Sequence, residues 1–441
     1  MHFAGTGVYL MMKSIILING ILSIIFSICY IYQYFYVLVG LRRKYVKGEA
    51  LKNHRYAVVI SARNECQVLK NLIDSIRNQT YPEELIDVYV IADNCTDDTA
   101  DIARSAGATV FERFNTELVG KGYALNWFFN LLKESGADSH YDAFIVFDAD
   151  NVLDTNFIYE MNKVYDKGYR IITSYRNSKN YGENWITAGY SLWFLREARY
   201  LNNARMQLGA SCAISGTGFL VSAELIREAG GWVHHLLTED IEFTVSNILD
   251  GEKIGYCGKA VLYDEQPNKL RQSYLQRLRW AKGFYQVFKN YGWRLIKGIF
   301  KGNYSCYDIL MTIMPAMLLT CISIAVNVLA LPYGIITRSP DLLPLLKTLF
   351  GTFLSFYALF FALGAVTTIT EWKQIHCHSM KKILYLFTFP LFMLTYVPIA
   401  IIALFRKVKW EPIEHSVSVT LDEIYEEGED TSIPKEENLS L

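Results

Sequence analysis

The chain has 441 residues, of which 51% are hydrophobic, 14% are aromatic and only 20% are charged. An average soluble domain has about 25% charged residues, so this composition excludes a disordered or collagen-like chain and indicates membrane-embedded or deeply buried segments. The formal net charge is −1, yet residues 420–441 hold eight acidic residues against Lys435. We therefore expect a mildly basic body and an acidic tail.

Four stretches carry no charged residue, namely 14–40, 309–331, 348–370 and 383–405. Each is longer than the roughly 20 apolar residues that a helix needs to cross a membrane. The first is too long for a signal peptide and lacks a cleavage pattern, so residues 1–48 are interpreted as an uncleaved anchor helix. It is followed by the cations Arg42, Arg43, Lys44 and Lys47. These predict a cytoplasmic end, so residues 50–300, without a comparable apolar run, are expected to be cytoplasmic.

The topology of residues 304–410, predicted as three transmembrane or re-entrant segments, stays open. Three further crossings would leave the C-terminus outside, whereas the cations within 406–409 favour the inside. A re-entrant or interfacial segment resolves this conflict, and Pro390 and Pro398 predict an irregular last helix. Residues 411–441, and above all the acidic part from position 422, are predicted to be disordered.

Strand and helix patterns alternate through residues 50–270. Apolar and β-branched runs predict strands at 56–62, 86–92, 109–112 and 143–147. Helical periodicity occupies the intervals between them, at 68–76, 100–106 and 122–134. The order βαβαβαβ predicts an α/β fold with a mainly parallel sheet. Ligands of such sheets bind at the carboxyl ends of the strands, where polar clusters stand at 63–65, 93–98 and 148–151.

Asp148 and Asp150 are two residues apart at a strand end, so both carboxylates are expected to point the same way. Two carboxylates together with diphosphate oxygens form the hard oxygen site that Mg²⁺ or Mn²⁺ prefers. A simple turn after the strand is the alternative. Lys121, at a predicted helix start, is placed to bind phosphate, with a solvated lysine as the alternative.

Thr238, Glu239 and Asp240 precede an apolar helix and follow the aromatic, histidine-containing segment 232–235. A carboxylate here could take a proton from a sugar hydroxyl. The alternative is a helix cap with acidic residues in its first turn. The residues alone leave both interpretations open.

Gln276, Arg279 and Trp280 lie within residues 271–303, whose amphipathic pattern predicts interfacial helices beside the membrane. Their i,i+3 and i,i+4 spacing puts them on one face, which we predict to lie opposite the apolar stripe that begins at Leu275. A Trp there suits stacking on a sugar ring, and Arg279 offers a fork of donors to a diphosphate. An interfacial Trp that anchors the helix is the alternative.

In this order, and flanked by membrane segments, these motifs resemble the processive family 2 glycosyltransferases, which include cellulose, hyaluronan, chitin-oligosaccharide and poly-N-acetylglucosamine synthases. The resemblance is closest over residues 55–300. It implies a GT-A fold, with a Rossmann-like mixed sheet and α-helical transmembrane segments, and a nucleotide-sugar donor. It also implies an inverting transferase that extends a β-linked polysaccharide.

The resemblance assigns roles to particular residues. The implied donor-binding residues are Glu65, Asp93, Lys121, Asp148, Asp150 and Arg279. Among them, Glu65 and Asp93 would hold the uridine, and Asp148 and Asp150 the Mg²⁺ or Mn²⁺. The implied acceptor-binding residues are Ser215, Gly216, Thr217, Glu239, Gln276 and Trp280. Asp240 matches the base that deprotonates the acceptor hydroxyl.

The expected chemistry is one direct displacement with inversion, in which a metal and a cation stabilise the leaving diphosphate and no covalent nucleophile is required. UDP-N-acetylglucosamine is the leading donor and UDP-glucose the second. The expected partners are a UDP-sugar, a polysaccharide or lipid-linked acceptor, membrane lipids and no nucleic acid. Four crossings are few for an export pore, so a homodimer or helper subunit is expected to complete a channel. The expected location is the plasma membrane, multi-pass, with a cytoplasmic catalytic domain.

Three other functions are compatible with parts of the sequence. The nearest is a non-processive transferase that adds one sugar to a lipid carrier. A membrane sensor that binds a nucleotide-sugar without turnover would not need so many carboxylates in one cleft, because each is costly to bury without partners. A transporter is disfavoured because the uncharged segments contain no ionisable residue to mark an ion path.

The eight cysteines are scattered without a CxxC pair, which is typical of a reducing compartment. The segment 376–378 (His-Cys-His) is the one zinc-like cluster. Because no second ligand cluster accompanies it, a polar loop is the preferred interpretation.

Overall fold

The computed structural model describes residues 2–336 and 342–428. Within them lies a mixed sheet of eight strands, which are β1 (Tyr56–Ala62), β2 (Ile86–Asp93), β3 (Thr109–Arg113), β4 (Ala143–Asp148), β5 (Val152–Leu153), β6 (Ile171–Ser178), β7 (Phe219–Ser222) and β8 (Ile254–Asp264). The spatial order is β3-β2-β1-β4-β7-β6-β8-β5.

The helices, in chain order, are α1 (His2–Gly40), α2 (Leu69–Arg77), α3 (Thr99–Ser105), α4 (Lys121–Ser135), α5 (Phe157–Tyr165), α6 (Trp185–Arg196), α7 (Asn203–Leu208), α8 (Ala223–Glu228), α9 (Glu239–Leu249), α10 (Leu270–Phe300), α11 (Tyr304–Ile313), α12 (Pro315–Ile336), α13 (Leu342–Thr370), α14 (Ser379–Leu394), α15 (Tyr396–Phe405) and α16 (Leu421–Gly428). The predicted strands and helices of residues 50–150 are therefore confirmed to within a few residues.

The sheet is buried on both faces. Along β1, Ala57 and Val59 pack into one hydrophobic cluster with residues of α4 and α6, while Val58 and Ile60 pack into a second with residues of α2 and α5. Successive side chains of a strand point to opposite faces, so a strand covered on both sides is continuously apolar. That is the pattern by which the sequence marks β1 and β4.

The expectation of a mainly parallel sheet holds for four of the seven strand pairings, including that of β6 with β8. β1 pairs in parallel with β2 and β4, and β2 with β3. β7 then enters antiparallel to both β4 and β6, and β5 is antiparallel to β8. The four-residue β7 is too short to show a periodic pattern, so its reversed direction is invisible in the sequence.

Four helical segments are long and apolar enough to cross a membrane, at Lys13–Gly40, Tyr304–Pro332, Leu342–Thr370 and Ser379–Phe405. They overlap the four predicted stretches. The last is broken at Thr395, between α14 and α15, three residues before Pro398. Proline lacks the N–H of a helix interior and clashes with the preceding turn, so the predicted irregular helix is confirmed.

The second segment begins earlier than predicted and so includes one charged residue, Asp308. Its carboxylate accepts hydrogen bonds from Arg205 Nε at 2.6 Å and Nη2 at 3.1 Å, with both side chains 2% exposed. The hydroxyls of Tyr32 and Tyr36 donate to the same carboxylate at 2.9 Å. Because Asp308 is fully paired, it ties α1, α7 and α11 together and marks no ion path.

The residues that follow the last membrane helix are ordered as far as they are described. Residues 406–420, here called the strap, form neither helix nor strand and lead to α16. In α16, Ile424 is buried against Val152 and Tyr263. The prediction of disorder is therefore wrong for residues 411–428, because the packing of Ile424 and hydrogen bonds between residues 415–419 and remote parts of the chain hold them in place. Residues 429–441 lie outside the described residues.

Removing the carboxylate of Asp308 should destabilise the fold strongly. Asp308→Ala leaves the buried Arg205 guanidinium without a counter-ion, and breaking a buried pair in this way costs about 3–5 kcal/mol. We expect a clear drop in the thermal unfolding midpoint of the detergent-solubilised chain. The matched control is Asp250→Ala, whose exposed carboxylate lies 3.4 Å from Arg294 and is worth at most about 1 kcal/mol. Equal midpoints for the two variants would show that the buried pair does not hold the helices.

Candidate active site

The polar side chains that follow β1, β2 and β4 meet at one edge of the sheet, as the strand order requires. Asn64 and Asn94 take left-handed backbone conformations with φ of 58° and 55°, which turn the chain away sharply after β1 and β2. Asparagine tolerates this region better than other non-glycine residues. The two loops are joined because Asn64 Oδ1 accepts from the Thr96 N–H at 2.8 Å.

Asp93 is buried at the end of β2 and its carboxylate accepts from Arg113 Nη1. The same guanidinium donates to the Leu118 carbonyl at 2.7 Å. Through Arg113, Asp93 therefore fixes the loop after β3. Its predicted contact with uridine is a proposal. No sequence motif had indicated Arg113 as a residue of the site.

Asp148 and Asp150 are placed differently despite their spacing. Asp148 is partly exposed, and Lys121 Nζ donates both to its carboxylate and, at 2.8 Å, to the carbonyl of Gly216. Asp150 is buried, and its carboxylate accepts from the Glu265 N–H at 2.7 Å. Burial by itself raises the pKa of Asp150, but nearby cations outweigh it and the pKa is lowered. Asp150 is therefore anionic.

This donor set fits Mg²⁺ or Mn²⁺ when phosphate is present. No group of three or more His, Cys, Asp or Glu side chains within the described ranges could hold a metal by itself. Mg²⁺ commonly uses one or two protein carboxylates and takes its other ligands from substrate phosphates and water. Asp148 and Asp150 supply those two carboxylates. In the segment 376–378, His378 Nδ1 instead caps α14 by accepting from the Met380 N–H, which agrees with the polar-loop interpretation.

The predicted acceptor loop 215–217 is tied to the donor carboxylates. Thr217 Oγ1 accepts from the Asp148 N–H at 2.9 Å and donates to Asn151, while the Ser215 carbonyl accepts from Arg176 at 2.7 Å. Gly218 has φ of 62°, and a Cβ there would lie 1.9 Å from a side-chain carbon of Leu262. Only glycine fits, which explains the small residues of this loop.

Asp240 and Glu239 begin α9 and stand against the same loop. A Cβ added to Gly216 would lie 3.4 Å from Asp240 Oδ2, so the Asp240 carboxylate faces this glycine closely. Burial raises the pKa of Asp240, and the charges of Lys121 and Arg279 oppose the rise. Burial and the neighbouring Asp240 likewise raise the pKa of Glu239. A carboxylate with a raised pKa flanked by cations is a competent general base.

The three residues of the last motif keep the i,i+3 and i,i+4 spacing of one side of α10, but that side is not free of apolar residues. Gln276 and Arg279 line a cavity together with Leu275 and Leu278, so the predicted separation from the apolar stripe is wrong. Leu275 and Arg279 are i,i+4 neighbours, and such positions lie on the same side of a helix. The ring of Trp280 packs edge-on against the rings of Tyr190 and Phe194 in α6, at centroid distances of 5.7 and 6.1 Å.

The strap adds a residue that sequence reasoning missed. His415 Nδ1 lies 2.9 and 3.0 Å from the two carboxylate oxygens of Glu65. Burial lowers the pKa of His415, but Asp150 and Glu65 outweigh this effect and raise it to about 10. Burial raises the pKa of Glu65 to about 7. His415 is thus a cation that the strap places among the carboxylates, beside the predicted uridine contact.

Further strap contacts hold His415 in place. The N–H groups of Ser416 and Val417 donate to the Glu265 carboxylate, and Lys179 Nζ donates to the Val417 carbonyl at 2.7 Å. Five residues earlier, the guanidinium of Arg63 lies 5.2 Å from the ring of Trp410. The alternation of apolar and polar residues over 413–419 was the one sequence signal for such an extended segment.

A family model described as glycosyltransferase-like family 2 matches residues 54–283, which is more than half of the chain. The chain belongs to this family and is a glycosyltransferase. A mannosyltransferase from Pyrobaculum calidifontis, solved with GDP-Man and Mn²⁺, superposes with a TM-score of 0.55 over 89% of this chain and 99% of that one, at 15% identity. That likeness shows the fold, which is of the GT-A type.

Curated relatives are similar over the same region. A β-monoglucosyldiacylglycerol synthase of Nostoc is 26% identical over 62% of this chain and 58% of its own length. A poly-β-1,6-N-acetyl-D-glucosamine synthase of Staphylococcus epidermidis is 23% identical over 57% of this chain and 60% of its own. A probable glycosyltransferase of Bacillus subtilis is 25% identical over 52% and 55%. The chain thus spans somewhat more than half the length of these relatives.

The strap should loosen as the pH rises. A histidine whose pKa is raised from 6.5 to about 10 stabilises docking fully below pH 6.5, and this contribution falls progressively up to pH 10. We expect amide hydrogen exchange of residues 410–420, corrected for intrinsic rates, to speed up by as much as about tenfold per pH unit in this window. In His415→Ala the corrected rate should be faster and nearly independent of pH. A wild-type rate that is flat from pH 6.5 to 10 would contradict this role.

Proposed function

We propose that this chain transfers a sugar from a UDP-sugar, with UDP-N-acetylglucosamine as the best candidate, to the growing end of a β-linked polysaccharide with inversion at C1. The observation that carries the proposal is the position of Asp240. Its carboxylate faces the Gly216 loop, and Lys121 and Arg279 are the cations that oppose the rise of its pKa. A base and a cation thus stand against the same loop, since Lys121 Nζ donates to the Gly216 carbonyl at 2.8 Å.

The donor side follows from the strand ends. Glu65 and Asp93 lie at the ends of the first two strands, where the uridine would bind, and Lys121 and Arg279 would hold the diphosphate. A divalent ion between Asp148 and Asp150 would neutralise charge on the leaving diphosphate. Lys121 would have to exchange its bond with Asp148 for bonds to phosphate, a change that a mobile lysine side chain allows.

The acceptor side follows from Asp240. The acceptor hydroxyl gives its proton to this carboxylate while its oxygen attacks C1 of the donor sugar. The bond from C1 to the diphosphate oxygen breaks, and UDP leaves with the electron pair. An α-linked donor then yields a β-linkage without a covalent intermediate. Ser215, Gly216, Thr217, Glu239, Gln276 and Trp280 would surround the incoming sugar.

A non-processive transfer of one sugar to a lipid is the second candidate. It is favoured by the relative whose name is a glucosyldiacylglycerol synthase and by the direct packing of α10 on the membrane segment α15. Either function fits a multi-pass protein of the plasma membrane with its catalytic domain in the cytoplasm. Export of a polymer would call for a second copy or a helper subunit, because the described residues hold four candidate crossings.

Loss of the base should abolish transfer while donor binding remains. Asp240→Asn removes the proton acceptor and preserves the shape of the side chain, and general-base catalysis contributes about 10²–10⁴-fold to rate. We expect UDP release with acceptor to fall by at least that lower factor, with an unchanged Kd for the UDP-sugar. Asp250→Asn, at the far end of α9, is the control and should keep wild-type activity. Turnover that persists in Asp240→Asn would exclude it as the base.

Loss of Trp280 should affect elongation more than donor use. Trp280 packs against buried rings of α6 on one side, and its remaining face would stack on the acceptor sugar. In Trp280→Ala we expect polymer synthesis to fall about tenfold or more relative to hydrolysis of the donor. Trp293→Ala, on the same helix and 67% exposed, is the matched control. Equal losses of both activities in Trp280→Ala would make Trp280 a packing residue only.

A further inference from the structure

One cavity beside the active site is lined by a concentration of positive charge. It has a volume of about 90 Å³ and lies between α10 and the start of the strap. Its cationic lining residues are Arg279, Arg406, Lys407 and Lys409. Within residues 2–336 and 342–428, none of the four forms an ion pair with a carboxylate, although Glu411 also lines the cavity. Four cations around one small space form a site for an anion.

The volume and lining of the cavity fit one group of a ligand rather than a whole small molecule. Pockets that enclose a whole small molecule measure about 300–1,000 Å³, so 90 Å³ accommodates a group such as a phosphate and leaves the rest of the molecule outside. The remaining walls include the apolar Leu275, Leu278, Val408 and Pro412. A phosphate attached to a hydrocarbon-bearing molecule matches both kinds of wall.

The position of the cavity points to the membrane. α15 ends at Phe405, which is 84% exposed, and Arg406 follows directly. Leu278 of α10 packs against Ile399 and Ala403 of α15, so the cavity opens where the catalytic domain meets the membrane segment. A lipid headgroup lies at that depth, and anionic headgroups attract cations placed there.

One residue that lines the cavity also acts electrostatically on the predicted base. Arg279 lines the cavity, and its charge opposes the rise that burial imposes on the pKa of Asp240. The carboxylates Asp148 and Asp150 and the cation Lys121 are not among its lining residues. The cavity therefore borders Arg279, whose charge acts on Asp240, and does not include the carboxylates that would hold the metal.

We propose that Arg406, Lys407 and Lys409, on the strap side of this cavity, bind the phosphate of a membrane lipid that serves as the sugar acceptor, while Arg279 on the α10 side remains with the donor diphosphate. The inference deepens the proposed function and rests on it. It names the acceptor class as a phosphate-bearing lipid whose hydroxyl, or whose attached glycan, reaches Asp240 while its chains stay in the bilayer. A phosphate-free lipid would lack the anion that these cations are arranged to hold.

The test uses the full chain in nanodiscs of phosphatidylcholine, to which phosphatidylglycerol, phosphatidylinositol or diacylglycerol is added. Native mass spectrometry measures retained lipid, a readout that needs no turnover, and labelled UDP-sugar measures transfer. The variant Arg406→Gln with Lys407→Gln removes two cavity cations. The control Lys289→Gln with Lys301→Gln removes two cations of the same basic region that do not line the cavity.

We expect wild type and control to retain one of the phosphate lipids and to place sugar on it. The cavity variant should lose retention at least tenfold and raise the KM for that lipid by a similar factor, with UDP release in lipid-free detergent and the KM for the donor unchanged. Equal retention by the cavity variant would overturn the site. Sugar found only on diacylglycerol or on a soluble glycan, with the phosphate lipid retained but unmodified, would overturn its role as acceptor. Retention without UDP release from any donor would leave the lipid site standing and refute the proposed transferase reaction instead.

Discussion

The structure depends on the compensation of carboxylates gathered at the carboxyl ends of a buried sheet. Asp93, Asp148, Asp264 and Glu65 come from different strands and loops, and each has a cationic partner from elsewhere in the chain. An uncompensated charge in such a place would cost several kcal/mol or would be neutralised by a shift of pKa. Arg113, Lys121, Arg176 and His415 supply this compensation, although burial still raises the pKa of Glu65 to about 7 and that of Asp264 to about 6.

The same requirement explains why distant parts of the chain meet at this edge. The strap returns from the last membrane helix to place His415 beside Glu65, although 350 positions separate them in sequence. A bound donor would bring a negatively charged diphosphate and a positively charged metal ion. These charges would replace part of the ion pairs that compensate the carboxylates. These ion pairs are contacts that a donor can exchange, and the strap connects them to the end of α15.

How much of this the sequence predicts depends on how local each cause is. β1, β2 and β4 were predictable because continuous apolar runs mark strands that are buried on both faces. The acidic residues at the ends of these strands could then be located directly. The candidate membrane helices were equally predictable, because each is a long uncharged run. The strap was missed because Glu65 and His415 are paired through the tertiary fold, and charge composition alone suggested disorder. The packing of Trp280 on α6 could not be predicted because it depends on the tertiary fold, and its contact with an acceptor sugar stays a prediction.

The central claim is that this edge of the sheet transfers sugar from a UDP-sugar. Its most direct test is UDP release by the detergent-purified chain with UDP-N-acetylglucosamine, UDP-glucose, UDP-glucuronate and GDP-mannose in the presence of Mg²⁺ or Mn²⁺, with mass spectrometry of the products. The account predicts release from one UDP-sugar, dependent on the divalent ion, and products that grow by the mass of that sugar. Release from GDP-mannose alone, or none from any donor when membrane lipids are supplied, would contradict it.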